Sequence, residues 1–456
     1  MNTLPNETLI AQTADRPEGP WYRDLNRYHW LVMSVCLLGW LFDCLDQRLF
    51  VLSRGRAMEA LSQGRDLQWC ASIATAWLLI GWATGGLLFG MVADRYGRAR
   101  TLRLTILWYS CFTGLSALSV AWWDFCFYRF LTGLGAGGVF AAGVALVAEV
   151  MPARARPHAL GLFQSMSALG NITGSLIGVL VLPMTVEVFG LSIAGWRWMF
   201  VVGVLPALLA VWAMRRLKEP AAWLAAKAAI QEDKRQNRPP LELGSWKEML
   251  GTRRWRRNTI IGLLLVTAGA MGLWGVGFWT PELIRKHVLA NLSEASQDRI
   301  ASLALALQDV GGFFGVLFFT WLTSRIGRRR AFAISFLAAW AMCAMVFGLM
   351  DQQWQIYWMI PLLGFATMTV FGGYSIYLPE LFPTRLRSTG AGFCYNVARY
   401  ATALGVSTLG SLQLLYASWG FAAPFRWATV SIASFYLLGL VALLYAPETK
   451  DQQLPE

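Results

Sequence analysis

Twelve apolar runs separated by short polar stretches order this chain: about 30–52, 69–92, 102–122, 125–149, 159–183, 197–215, 258–280, 301–323, 331–350, 354–378, 388–412 and 425–446. Each is close to the roughly 20 residues that an α-helix needs to cross a bilayer. The runs are continuous or helically patterned and lack the alternation of membrane β-barrel strands, so the pattern predicts an all-α membrane protein with twelve transmembrane helices. Between the second and third runs, Gly90-Met-Val-Ala-Asp94-Arg95-Tyr-Gly97-Arg98-Ala99 forms a short basic turn. Gly97 permits the sharp bend there, and Asp94 is suited to cap a helix start.

The turn recurs between the eighth and ninth runs as Ser324-Arg325-Ile-Gly327-Arg328, with Ser324 where Asp94 stood. A second pair, Ala148-Glu149-Val-Met-Pro152-Ala-Arg154-Ala-Arg156 and Pro379-Glu380-Leu-Phe-Pro383-Thr-Arg385-Leu-Arg387, recurs at nearly the same interval. Two independent motifs with one offset imply an internal duplication, and hence two pseudo-symmetric six-helix bundles. The expected divisions are a tail over 1–29, a first bundle over 30–215, a charged linker over 216–257, a second bundle over 258–446 and a tail over 447–456. Within the linker, Trp223 to Glu232 is expected to form a surface amphipathic helix with Trp223 and Leu224 dipping towards lipid.

Composition agrees: with 56% hydrophobic and 14% charged residues, the chain has too little polar surface to wrap a soluble core. Its net charge of +13 falls in bursts within alternate loops, which places those loops and both termini in the cytoplasm and argues against nucleic-acid binding. The seven cysteines lie in or beside apolar runs without a Cys-x-x-Cys pair, and read as packing residues. The first 29 residues lack the pattern of a signal peptide. The three histidines are scattered, and no metal cluster, phosphate loop or nucleophile–base pair is evident, so no enzyme, cofactor or metal is expected.

Charges at membrane depth cost about 2.5–3.5 kcal/mol each on insertion scales, so each needs a partner or a task. In the first run Asp43 and Asp46 are three apart on one helix face, the first candidates for proton carriers, with permanent pairing to a cation such as Arg48 as the alternative. Arg129 in the fourth run would pair with Asp46, as a switch or as a static ion pair. Asp309 in the eighth run and Arg399 in the eleventh, beside Asn396, would neutralise each other, unless a substrate carboxylate takes Arg399 bidentately. Trp274, Phe278, Tyr374 and Tyr377 would wall a pocket for a planar ligand, with ordinary packing as the alternative. Glu149 and Glu380 end helices beside the basic turns, where Arg98 and Arg328 would hold the inner side closed.

The turn Gly-x-x-x-Asp94-Arg95-x-Gly97-Arg98 resembles the signature loop of the major facilitator superfamily of transporters. Arg129-Phe-Leu-Thr-Gly133-Leu-Gly135-Ala-Gly137 resembles its fourth-helix motif, whose glycines would bring that helix close to the first. Asp43-Cys-Leu-Asp46 is similar to the Asp-Gly-x-Asp of aromatic-acid/proton symporters, with Cys44 in place of Gly, and Arg129, Glu149, Asp309 and Arg399 match those symporters' intramembrane charges in type and helix. Lys218-Glu219-Pro220 and Pro447-Glu448-Thr449-Lys450 resemble sugar porters, yet the seventh run lacks their Gln-Gln and Asn cluster. Drug/proton antiporters carry a Gly-Pro pair in the fifth helix; here Gly170, Gly174 and Gly178 form a packing face without Pro.

The resemblance implies a proton-coupled symporter importing a small organic anion (aromatic acid, sialic acid or another carboxylate) by alternating access, with a sugar porter or uniporter as the alternative. It implies proton coupling at Asp43, Asp46, Arg129 and Asp309 and substrate contacts at Arg399, Asn396 and the four aromatics. The cytoplasmic gate would comprise Asp94, Arg95, Arg98, Glu149, Arg328, Glu380 and Arg387. The expected partners are the organic anion, protons and the lipid of a bacterial inner membrane, and the expected state is a monomer.

Overall fold

The computed structural model describes residues 19–188, 191–214, 216–236, 242–277 and 279–455. Its helices are α1 (Arg27–Leu61), α2 (Leu67–Tyr96), α3 (Arg98–Ser116), α4 (Trp122–Val150), α5 (Arg156–Val181), α6 (Gly195–Val202) and α7 (Pro206–Met214). After α8 (Ala221–Arg235) and α9 (Trp246–Gly251) come α10 (Arg253–Gly277), the single turn α11 (Thr280–Glu282) and α12 (Glu294–Ile326). The last are α13 (Arg328–Leu349), α14 (Gln353–Glu380), α15 (Arg387–Ser418), α16 (Pro424–Ala433) and α17 (Phe435–Tyr445). Among the described residues eight spans are long and apolar enough to cross a membrane by themselves. The other four crossings are α3, α5, α15 and the pair α6–α7, which are polar along one side or broken, giving the twelve-helix membrane fold that the hydrophobic pattern predicts.

Two crossings differ from the continuous helices expected. The sixth breaks at Gly203, Val204 and Leu205 before Pro206, which opens α7 where a missing N–H costs nothing. The last breaks at Ser434. Between α5 and α6 the chain forms a small antiparallel hairpin, β1 (Thr185–Val188) with β2 (Leu191–Ala194), pairing Thr185 with Ala194 and Val186 with Ile193.

Both basic turns depend on a left-handed glycine, Gly97 at φ +118° and Gly327 at φ +91°. Neither turn is capped from within. Glu219 accepts from the N–H groups of Ala99 and Arg100 (3.1 and 3.0 Å) at the start of α3, and Glu448 accepts from those of Arg328 and Arg329 (2.9 and 3.1 Å) at the start of α13. Burial pushes the Glu448 carboxyl up, but the N–H groups of Arg328, Lys450 and Arg329 outweigh it and hold the group below its ordinary range. Asp94, expected to cap a helix start, does so on α15, far along the chain.

The glycines of α4 also serve a neighbour other than the one expected. A Cβ on Gly133 or Gly137 would meet backbone atoms of α2, and one on Gly135 would meet Tyr109 of α3; it is Gly170 and Gly174 of α5 that bring a helix onto α1. The first group of helices meets the second along α2 against α15 and along α5 against α12 and α14. At the first seam a Cβ on Gly86 would lie 1.9 Å from Asn396 Nδ2. Trp223, expected to dip into lipid, turns inward instead: it is 2% exposed and donates from Nε1 to the Asp94 carbonyl (2.7 Å), beneath the Arg98 guanidinium. Its neighbour Leu224 is exposed.

Candidate functional site

The charges that sequence placed at membrane depth divide among three clusters. In the first, Asp46 of α1 accepts from Thr113 Oγ1 of α3 (2.8 Å) and pairs with Arg129 Nη1 of α4 (3.5 Å). Arg129 also donates to Ser116 Oγ from Nη2 and Nε (2.7 and 3.0 Å) and lies 4.7 Å from the ring centroid of Phe200. All of this is buried, Arg129 fully. Gly203, at the break before α7, leaves room for Thr113 against Asp46.

The second cluster crosses the seam. Arg48 Nη2 meets Asp309 Oδ2 at 2.6 Å, and Asn171 of α5 donates to the other oxygen at 3.3 Å. The long Arg48 stem runs past Gly174, where a Cβ would lie 2.9 Å from it. This corrects two expectations: Asp309 does not pair with Arg399, and Arg48 serves neither Asp43 nor Asp46.

Arg399 stands in the third cluster. Nη1 donates to Asn396 Oδ1, and the guanidinium carbon lies 3.6 Å from the Trp82 centroid and 4.9 Å from that of Tyr395. Among the described residues it makes no ion pair, although its charge reaches the buried Asp43 of α1. Asp43 accepts from Gln47 through Oδ2, while Oδ1 has no partner among the described residues. The two aspartates therefore face different partners despite their shared helix side.

The side chains around Arg399 are aromatic. Tyr395 stacks on Phe140 (3.7 Å, 13°), Trp40 on Phe163 (5.4 Å, 20°), and Trp274 stands edge-on to Trp82 (6.5 Å, 84°). Trp40 Nε1, Trp82 Nε1 and Gln164 Oε1 are buried without a hydrogen-bond partner among the described residues. Buried polar groups of this kind are costly unless a ligand or water satisfies them. Trp274 reaches this group through its edge contact with Trp82, and Phe278 lies outside the described residues. Tyr374 and Tyr377 are not cavity walls: their hydroxyls donate to Leu265 O and Pro447 O (both 2.7 Å) inside the second group of helices, where both rings pack on Phe332. Asn396 is wedged against Gly86 and orients Arg399. Trp40, Trp82, Gln164 and Tyr395 were missed; their only sequence signal was a polar tip in an otherwise apolar helix.

At the basic turns the seam is closed. Asp94 Oδ1 accepts from Ser388 N (3.1 Å) and Oδ2 from Thr389 N and Oγ1 (2.8 and 2.6 Å) at the start of α15. Arg98 joins Asp94 (3.0 Å) and Glu149 (3.1 Å) and reaches Thr384 O across the seam, while Arg387 pairs with Glu149 from the other side (2.8 Å). Arg328 pairs with Glu380 (2.8 Å), but both belong to the second group, so this expected latch does not cross the seam. Among the described residues Ser324 bonds only to its own helix, at Thr320 O and Trp321 O. Arg95 is exposed and donates to Leu243 O of the linker (3.2 Å).

A family model described as Major Facilitator Superfamily matches residues 36–406. The chain belongs to the Major Facilitator Superfamily. It is a multi-pass membrane transporter, and several of its relatives carry transporter names. A Haemophilus influenzae protein provisionally named a metabolite transporter is 30% identical over 94% of this chain and 99% of its own length. The niacin transporter of Acinetobacter baylyi is 27% identical, covering 82% of this chain and 85% of the relative. Among solved structures, a proton:xylose symporter superposes with a TM-score of 0.74 at 19% identity, over 94% of this chain and 98% of that one, which shows the shared fold.

For this superfamily member, Glu149→Gln is expected to favour opening at the basic turns. Removing one partner of a buried pair costs about 3–5 kcal/mol, and here two arginines lose that partner in the closed form. Distances between spin labels on α4 and α15 at that face would lengthen. An unchanged distribution would make Glu149 a helix-end anchor only.

Proposed function

We propose that the chain is a proton-coupled importer of a small organic anion, working by alternating access between bundles 30–215 and 258–446 around Arg399. The observation that carries this reading is the state of Arg399: a guanidinium at the seam, lying over the Trp82 ring and hydrogen-bonded to Asn396, with no carboxylate paired to it among the described residues. A carboxylate ligand satisfies such a group with two parallel hydrogen bonds, and the surrounding aromatic side chains suit a planar one. The niacin-transporter name of one relative agrees with a small aromatic acid. Asp43, Asp46, Arg129 and Asp309 supply proton sites and their competing cations. The basic-turn contacts of Asp94, Arg98, Glu149 and Arg387 form the gate that rocking must break.

The test is uptake by proteoliposomes of labelled niacin, other aromatic acids, sialic acid, lactate and xylose, with and without a protonophore. Accumulation of a carboxylate that collapses with the protonophore is expected; transport of xylose alone, or protonophore-insensitive uptake, overturns the reading. In the proposed orientation the basic turns and both termini face the cytoplasm of a bacterial inner membrane, as the alternation of charged loops requires. A single Cys at Gln63 is then labelled in intact cells by an impermeant reagent and one at Gln231 is not. The reverse pattern inverts the topology.

A further inference from the structure

A recess of about 980 Å³ opens at the rim of the basic face, between the start of α13 and the end of α17. Arg325, Arg329, Arg330 and Lys450 share its lining with an apolar wall that includes Leu440 and Leu444. The arrangement holds the cations apart without neutralising them. Arg325 lies over the Trp321 ring at 4.7 Å, Arg329 Nε donates to Leu443 O at 3.2 Å, and Lys450 Nζ donates to Arg325 O at 2.9 Å. The one carboxylate among the described lining residues, Glu448, is already held by the backbone N–H groups of Arg328, Arg329 and Lys450. An occupant therefore meets four positive charges and a committed acid.

The wall defines the rest of the occupant. Leu444, beside the last residue of its span, is 71% exposed, and Val441, Leu438, Ile334 and Leu337 carry the outward apolar face of the same two helices further into the membrane. An acidic peptide or a free phosphate would meet the cations and leave this apolar surface uncovered. We propose that the recess binds one anionic phospholipid, its phosphate against Arg325, Arg330 and Lys450 and an acyl chain along Leu440 and Leu444. The site is separate from the seam at Arg399, so it does not depend on which solute is carried.

The test uses the full chain, purified and exchanged into nanodiscs of phosphatidylcholine with a trace of phosphatidylglycerol of the same acyl chains, read by native mass spectrometry. One tightly retained phosphatidylglycerol per chain is expected, preferred over phosphatidylcholine. Removing two charges with Arg330→Gln and Lys450→Gln together should weaken retention about 30-fold, at about 1 kcal/mol for each cation near the surface. The charge-keeping pair Arg330→Lys and Lys450→Arg should retain the lipid, and Leu444→Asn should weaken it while leaving the headgroup preference. Equal retention of the two lipids by the wild type overturns the proposal, and so does a neutralised variant that holds phosphatidylglycerol as well as the wild type. Displacement of the lipid by equimolar inorganic phosphate or by deacylated glycerophosphoglycerol would also overturn it, because the acyl chain would then contribute nothing.

Discussion

Arg399→Lys is expected to weaken binding of a carboxylate substrate roughly 10- to 100-fold, the equivalent of losing one charge-assisted hydrogen bond of about 1.5–3 kcal/mol. Charge is preserved in that variant, so the loss isolates geometry. The guanidinium of Arg399 is a flat group between the Trp82 face and the Tyr395 ring, with Nη1 fixed by Asn396 Oδ1. An ammonium on a flexible stem keeps neither the stacking nor the two parallel donors. Scintillation proximity or calorimetry with the purified carrier and niacin, or whichever acid the uptake panel selects, reads the change. Unaltered affinity in the variant would remove Arg399 from the substrate site and discredit the organic-anion reading.

The crossings, the basic turns and the duplication were legible in the sequence because they depend on local quantities: run length, a glycine between two runs, and a repeated spacing. Partner choice was not. Arg48, Asp309 and Arg399 each lie in helices apolar around most of their circumference, and lipid and protein interior are equally apolar, so no moment tells the lipid face from the seam. Tyr374 and Tyr377 were misplaced for this reason, since α14 is buried on nearly every side beyond its first turns. Trp223 misled differently. Its amphipathic context resembles an interfacial helix, but the indole N–H found a carbonyl beside Gly97, a position set by tertiary packing. The capping acids Glu219 and Glu448 were readable as a repeated Glu after each bundle, yet only the fold shows that each closes its own basic turn.

Asp46→Asn is expected to abolish proton-driven accumulation while leaving exchange of substrate between preloaded vesicles and medium. In the proposed cycle a proton entering from outside neutralises Asp46, and Arg129 loses its only carboxylate among the described residues. Breaking a buried pair costs about 3–5 kcal/mol, against about 5.5 kcal/mol to carry a two-state equilibrium from 1:99 to 99:1. Arg129 is not stranded, because Ser116 still accepts from two of its nitrogens and Phe200 still faces its guanidinium. Those contacts lower the penalty, so protonation biases the rocking equilibrium and leaves it reversible. Transmission has a physical route: Asp46 bonds to Thr113, Thr113 packs on Gly203, and Gly203 marks the break between α6 and α7. The amide introduced in this variant mimics the protonated carboxyl in size and charge, so the variant carrier cycles with substrate on board but has nothing for the proton gradient to act on. If Asp46→Asn still concentrates substrate in a protonophore-sensitive way, the coupling proton resides elsewhere. Asp43, with one oxygen unpartnered among the described residues and within reach of the Arg399 charge, is then the next position to neutralise, followed by Asp309.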